Sequence, residues 1–177
     1  MRKVILAAGI TLDGYIARPD GAVDYLFMPK DFSMAPFFAS IDTIVMGRKT
    51  YEVSLQMGEG AFGSQITSYV LSRTRAPGAR DGVIFVNEPV AELAARLRAR
   101  AAKGKHIWLM GGGEIAREFL LADLVDEIHL GIVPIALGEG IPLFPPGFPQ
   151  RNFKLIGNNT YSRGLVELKY QRGRRKR

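Results

Sequence analysis

Residues 106–120 read HIWLMGGGEIAREFL, and the fold turns on this stretch. Residues 106–110 form a short apolar run of the kind that a sheet buries. Gly111, Gly112 and Gly113 follow directly. From Glu114 the period changes, and Ile115, Ala116, Phe119 and Leu120 fall on one helical face. A buried strand that turns tightly into an amphipathic helix is the repeating unit of a parallel sheet. The expectation is an α/β domain.

The same alternation extends in both directions. Upstream, residues 89–103 carry Val90, Leu93, Ala94, Leu97 and Ala101 at helical spacing. Asn87 suits the N-cap, Pro89 the first turn, and Gly104 the stop. Strands are expected at 83–86, 68–71 and 43–46, with a helix from 48 to 55 after Gly47. A short helix is expected over 32–41, with Pro36 near its start. Residues 9–31, rich in Gly, Asp and Pro, read as a long functional loop. Residues 3–8 (KVILAA) form another buried strand. Downstream, 125–133 is a strand. Residues 153–159 and 165–171 are joined near Ser162, Arg163 and Gly164 with no helix between, so they should pair as an antiparallel hairpin. The fold class is thus α/β, with a mostly parallel sheet and an antiparallel end.

The length of 177 residues suits one domain with a sizeable core. With 47 % hydrophobic and 23 % charged residues, wholesale disorder is excluded. No apolar run approaches a membrane span, and the opening MRKVILAAG lacks a signal-peptide cleavage pattern. The net charge of +7 would suggest nucleic acid, but residues 172–177 (RGRRKR) hold five of the 24 Lys and Arg. The remaining body has 19 basic against 17 acidic residues. The tail is expected to be a disordered basic end, and nucleic acid is not the expected partner. With no cysteine, catalytic thiols and cysteine zinc sites are excluded, and a reducing, cytoplasmic compartment is compatible. The two histidines, His106 and His129, show no metal-ligand spacing.

Ligands of open α/β sheets bind beyond the carboxyl ends of the strands, and three such ends carry unusual residues. Gly111, Gly112 and Gly113 allow close backbone approach, and the helix start after them offers free N–H groups to an anion. This is neither GxGxxG nor a phosphate-binding loop ending in GK[ST]. After Gly47, Arg48 and Lys49 stand in a first helical turn, where the macrodipole disfavours cations; a bound anion would supply the missing negative charge. At 70–75 (VLSRTR), a strand ends in hydroxyl and guanidinium groups suited to phosphate oxygens. Together they point to one ligand with several phosphates, such as a dinucleotide.

Residues 3–8 ending in Ala7 and Ala8, then TLDGYIA (11–17), MGRKTYE (46–52), LSR (71–73) and MGGGEIAREFL (110–120), resemble the dihydrofolate reductase-like superfamily. Within it the chain is most similar to stand-alone proteins related to the C-terminal reductase domain of the riboflavin-biosynthesis deaminase–reductase. The stretch 126–144 (DEIHLGIVPIALGEGIPLF) is typical of that branch. The resemblance covers 3–171 and implies one dihydrofolate reductase-like domain over 1–171, three-layered, with about eight strands. It implies NADPH laid across the strand ends. Ala8 would touch the nicotinamide, and Gly47, Arg48, Lys49 and Thr50 would bind the phosphate region. Arg48, Ser72 and Arg73 would face the 2′-phosphate, and Leu71 counts among the cofactor-binding residues. Gly111, Gly112 and Gly113 with the start of the next helix, Glu114 and Ile115, would hold the pyrophosphate, and Met110 counts among the cofactor-binding residues.

The expected reaction is hydride transfer to a small heterocyclic or ribosylamino-pyrimidine substrate. Pterin reduction and a non-catalytic NADP-binding module are the alternatives. Asp31 stands near the position of the pterin-binding carboxylate of folate enzymes and is the first candidate proton donor, with Asp13 or an ordered water behind it. The loop 9–31 would close over the nicotinamide. The chain departs from the folate pattern at Glu114, where a basic residue is frequent, and at Gly131, where a hydroxyl residue is favoured. The deaminase half of the bifunctional enzyme needs a cysteine zinc signature, so deamination is excluded. The resemblance also implies a homodimer.

Overall fold

Seven residues with no charge, Val4–Ile10, form the strand β1 at the centre of the sheet. The computed structural model describes residues 2–56, 58, 62, 65–100 and 105–173. After β1 come β2 (Tyr15–Ala17), α1 (Ala35–Ser40), β3 (Ile41–Gly47), α2 (Arg48–Gln56) and β4 (Thr67–Leu71). Then follow β5 (Gly78–Arg80), β6 (Val83–Val86), α3 (Val90–Ala99), β7 (His106–Gly111) and α4 (Gly113–Leu121). The chain ends with β8 (Glu127–Ile132), β9 (Ile141–Pro142), β10 (Phe153–Thr160), a 3₁₀ turn at Ser162–Gly164 and β11 (Val166–Arg172).

Nine strands form one sheet in the order β10-β11-β8-β1-β7-β3-β4-β6-β5. From β8 to β6 every pairing is parallel. The hairpin β10–β11 joins β8 antiparallel, and β5 joins β6 antiparallel at the other edge. This is the mostly parallel sheet with an antiparallel C-terminal pair that the sequence predicts. The ninth strand is β5, three exposed residues with no alternating pattern to announce them. A separate two-stranded sheet pairs β2 with β9 and brings the 141–142 segment towards α4.

Side chains alternate across a pleated strand, and both faces of these strands are apolar. Val4, Leu6, Val45, Ile107 and Leu109 face one core with Leu93, Ala94 and Leu97 of α3 and Ala116, Phe119 and Leu120 of α4. Ile5, Ala7, Ile44, Met46 and Trp108 face the other, with Tyr51 of α2 and Phe37 and Phe38 of α1. The result is three layers. Each fully buried aliphatic side chain contributes about 1.5–3 kcal/mol.

Several boundaries differ from expectation for local reasons. Ile41 belongs to β3, because α1 ends at Ser40, whose hydroxyl bonds back to Phe37 O. Asn87 does not cap α3; the cap position is Pro89, with no side-chain bond, and the helix starts at Val90. Ala101, Lys103 and Gly104 lie outside the described residues. The tail starts later than residue 172. Arg172 is the last residue of β11, and its Nη1 donates to Asp123 O at 2.6 Å and lies 3.2 Å from the Asp123 carboxylate. A strand-end arginine with partners is structure, however basic its sequence neighbours; residues 174–177 lie outside the described part.

Candidate functional site

The expected site residues come together at the carboxyl ends of neighbouring strands. In sheet order these are β1 (Ala8), β7 (Met110 and Gly111), β3 (Gly47) and β4 (Leu71). Three interstrand steps of about 4.8 Å span roughly 14 Å, more than one phosphate needs. The turn after β7 leads into α4 and Gly47 leads directly into α2, so Gly112, Glu114, Ile115, Arg48, Lys49 and Thr50 lie at the same edge. Ala8 is half-buried and pairs with Leu130 of β8.

The glycines at this edge do different work. A Cβ on Gly113 would lie 2.2 Å from Pro142 O of β9 and 3.2 Å from Pro145 Cδ, so backbone packing alone excludes a side chain. A Cβ on Gly47 would lie 3.0 Å from Ile115 Cγ1, where α4 crosses β3. Gly111 has φ +105°, a region that favours glycine, and nothing lies within 4 Å of its would-be Cβ. Gly112 would meet only the Thr50 hydroxyl at 3.3 Å and Ile16 at 3.7 Å. The Gly111–Gly112 peptide is cis. Gly112 is half-buried and Gly111, though buried, has room where a side chain would lie, whereas Gly113 and Gly47 are small because the protein itself fills their space. The first-turn N–H groups of α4 have no partner one turn back and stand beside this gap; the first ladder bond runs from Ala116 N to Gly112 O at 3.0 Å.

Two cations of the edge, Arg48 and Arg75, meet a protein carboxylate. Arg48 Nη1 donates to both oxygens of Glu52, one turn on, at 2.7 and 2.9 Å. The wrong-sign first turn is thus answered in part by the chain's own carboxylate. Arg75 Nη2 comes within 3.7 Å of the same carboxylate. Lys49 and Arg73 are exposed. Ser72 is buried, its N–H donates to Val86 O, and its Oγ accepts from Arg75 N at 3.0 Å. The hydroxyl thus shapes the turn that presents Arg73 and Arg75. Sequence reasoning passed over Glu52, although Arg48 and Glu52 show the i, i+4 spacing that pairs opposite charges on a helix.

Neither carboxylate expected as proton donor stands free. Asp31 accepts from the Ser162 hydroxyl at 2.7 Å and from Ser162 N at 2.8 Å, and these bonds hold its carboxyl below the ordinary value. Asp13 accepts from the Thr11 hydroxyl at 2.6 Å and from the N–H groups of Gly138 and Leu137, with the same effect. Both are exposed carboxylates that fasten loops. Hydrogen bonds to the charged form favour that form, which is the wrong direction for a general acid at neutral pH.

Those fastenings shape the long loop. Phe32 meets Tyr161 edge-on at 5.1 Å, and Arg163 lies 4.0 Å over the Phe27 ring. With Asp31 on Ser162, three contacts tie the loop before α1 to the β10–β11 turn. Leu26, next to Phe27 in the same loop, reaches over the end of β1, where a Gly9 Cβ would meet its Cδ2 at 3.0 Å. Trp108 Nε1 donates to Ala7 O at 2.9 Å beneath the same strand end. No motif in the sequence marks Leu26 or Trp108, because their roles depend on segments far away in the chain.

The comparisons agree with this fold. Residues 2–166 match the RibD C-terminal domain family. The uncharacterized protein YyaP of Bacillus subtilis (strain 168) is 35 % identical over 180 residues, covering 96 % of this chain and 94 % of that protein. A provisionally named riboflavin biosynthesis protein of Shewanella sp. PV-4 has a crystal structure with TM-score 0.83 and 29 % identity. The match covers 97 % of this chain and 99 % of that one. The diaminohydroxyphosphoribosylaminopyrimidine deaminase/5-amino-6-(5-phosphoribosylamino)uracil reductase of Thermotoga maritima gives TM-score 0.72 at 16 % identity. It covers 97 % of this chain and 57 % of that longer one, and at this identity the likeness concerns the fold. The chain belongs to the RibD C-terminal domain family.

Proposed function

We propose that the protein is an NADPH-dependent reductase acting on a small heterocycle, with a ribosylamino-pyrimidine of the riboflavin type as the favoured substrate. The observation that carries this reading is the convergence at one sheet edge of Ala8, the Gly111–Gly112 turn with its room on the side-chain side, the start of α4 and the cations Arg48, Lys49 and Arg73. A dinucleotide fits that set. Its pyrophosphate would use the turn at Gly111 and Gly112 and the first-turn N–H groups of α4. Arg48, Arg73 and the Ser72 turn would face a phosphate on the adenosine ribose. NADPH, when bound, supplies a hydride.

The chain's own residues then bind, orient and exclude water. Ala8, small and half-buried at the end of β1, leaves room for a flat ring beside the backbone. Leu26, held by the tied loop, presents an apolar wall at that strand end. With Asp31 and Asp13 engaged as acceptors, the proton comes from water admitted at the edge of the loop.

The test is purified protein with NADPH and 5-amino-6-(5-phosphoribosylamino)uracil, followed at the nicotinamide absorbance band. Loss of absorbance that requires both protein and substrate is expected. Unchanged absorbance refutes this substrate, and loss with dihydrofolate instead transfers the assignment to pterin reduction.

A further inference from the structure

We propose that Glu52 sets the choice between a phosphorylated and an unphosphorylated adenosine ribose, by competing with the phosphate for Arg48. The inference rests on the dinucleotide reading above. Glu52 stands between guanidinium groups from two neighbouring strand ends. Arg48, after β3, gives it bonds of 2.7 and 2.9 Å, and Arg75, after β4, lies 3.7 Å away. Carboxylate and phosphate oxygens are the same kind of acceptor to a guanidinium. Glu52 therefore occupies on Arg48 the place that a phosphate oxygen would take.

The surroundings favour exchange over a permanent pair. Arg48 and Glu52 are 35 % and 37 % exposed, so either can leave the other for a new partner without stranding a buried charge. Arg75 is anchored independently, with its guanidinium 5.5 Å over the Phe85 ring and its N–H on Ser72 Oγ. A phosphate arriving here is attracted by Arg48 and Arg75 and repelled by Glu52. A ribose with a free 2′-hydroxyl instead finds in Glu52 a carboxylate to which it can donate, as the acidic residue of other dinucleotide sites does. Both effects run in one direction: Glu52 lowers the preference for the phosphorylated cofactor.

Calorimetric titration of NADPH and NADH into the full chain, as wild type, Glu52→Gln, Arg48→Ala and the double variant, tests this. Glu52→Gln keeps the shape and removes the charge. It is expected to tighten NADPH by up to about fivefold, the measured ceiling for a partly exposed ion pair, while NADH is unchanged or weaker. In the Arg48→Ala background the same substitution should bring no gain, because the contested guanidinium is gone. An unchanged ratio of the two affinities in Glu52→Gln overturns the inference while leaving the dinucleotide reading intact. So does weaker NADPH binding, which would make Glu52 a mere support for Arg48, or a gain that persists without Arg48. A wild-type protein that binds neither dinucleotide overturns the reading and the inference together.

Discussion

Replacement of Gly113 by alanine separates the packing role of the glycine run from its ligand role. The new Cβ would lie 2.2 Å from Pro142 O and 3.2 Å from Pro145 Cδ. The first contact is with backbone, which no rotamer change can relieve, so β9 or the start of α4 must shift. Overpacking of a well-filled site costs about 1–3 kcal/mol, and a backbone clash this deep belongs at the upper end, about 2–3 kcal/mol. For a chain of this size each kcal/mol lowers Tm by about 2–4 °C, so a fall of roughly 4–12 °C is expected without any ligand. Emission of the single Trp108, buried beneath the end of β1, follows the transition. Gly112→Ala is the control: its Cβ would meet a hydroxyl at 3.3 Å and an isoleucine methyl at 3.7 Å, and the expected change is below about 1 kcal/mol. A Gly113→Ala protein that melts within a degree or so of wild type would refute the packing account and return this glycine to the ligand.

Other expectations follow from the same contacts. Asp31→Asn should leave the pH profile of turnover unchanged, because Asp31 serves as an acceptor for Ser162; an activity that loses its acid limb would restore it as proton donor. Its lowered pKa predicts that the tie to the β10–β11 turn holds above the ordinary carboxyl value of about 4 and weakens as pH falls below it. His129 is pushed down by burial, against the opposing pull of Glu127, so the folded protein resists its protonation. Stability from this source is complete above the ordinary histidine value of about 6.5 and declines as pH falls through the folded value. Urea midpoints at pH 7.5 and 5.5 should differ more for wild type than for His129→Gln, with His106, lowered the same way, supplying what dependence is left. Equal differences in the two proteins would refute the assignment.

Much of the fold was legible because the strands that matter are buried on both faces and announce themselves as apolar runs. β1, β3 and β7 have almost no polar residue to blur the pattern, and α3 shows its buried stripe, Leu93, Ala94 and Leu97, at helical spacing. The short edge strand β5 and the pair β2–β9 were not legible, since two or three residues carry no periodicity. Arg172 was misplaced because charge composition says nothing about a partner such as Asp123.

The candidate site divides in the same way. The sequence by itself determined that glycines, hydroxyls and cations follow three apolar strands, and parallel-sheet topology then requires those strand ends to share one edge. Only the tertiary structure decided what each group does there. Gly113 is forced by a carbonyl from β9, 29 residues further on, while Gly111 has room where a side chain would lie. Arg48 is paired with Glu52, whose carboxylate also lies 3.7 Å from Arg75. Asp31 is committed to Ser162, 131 residues away in the chain. The physical reason is common to all three: residue type sets what a group can bond to, but long-range packing sets which partner is within reach.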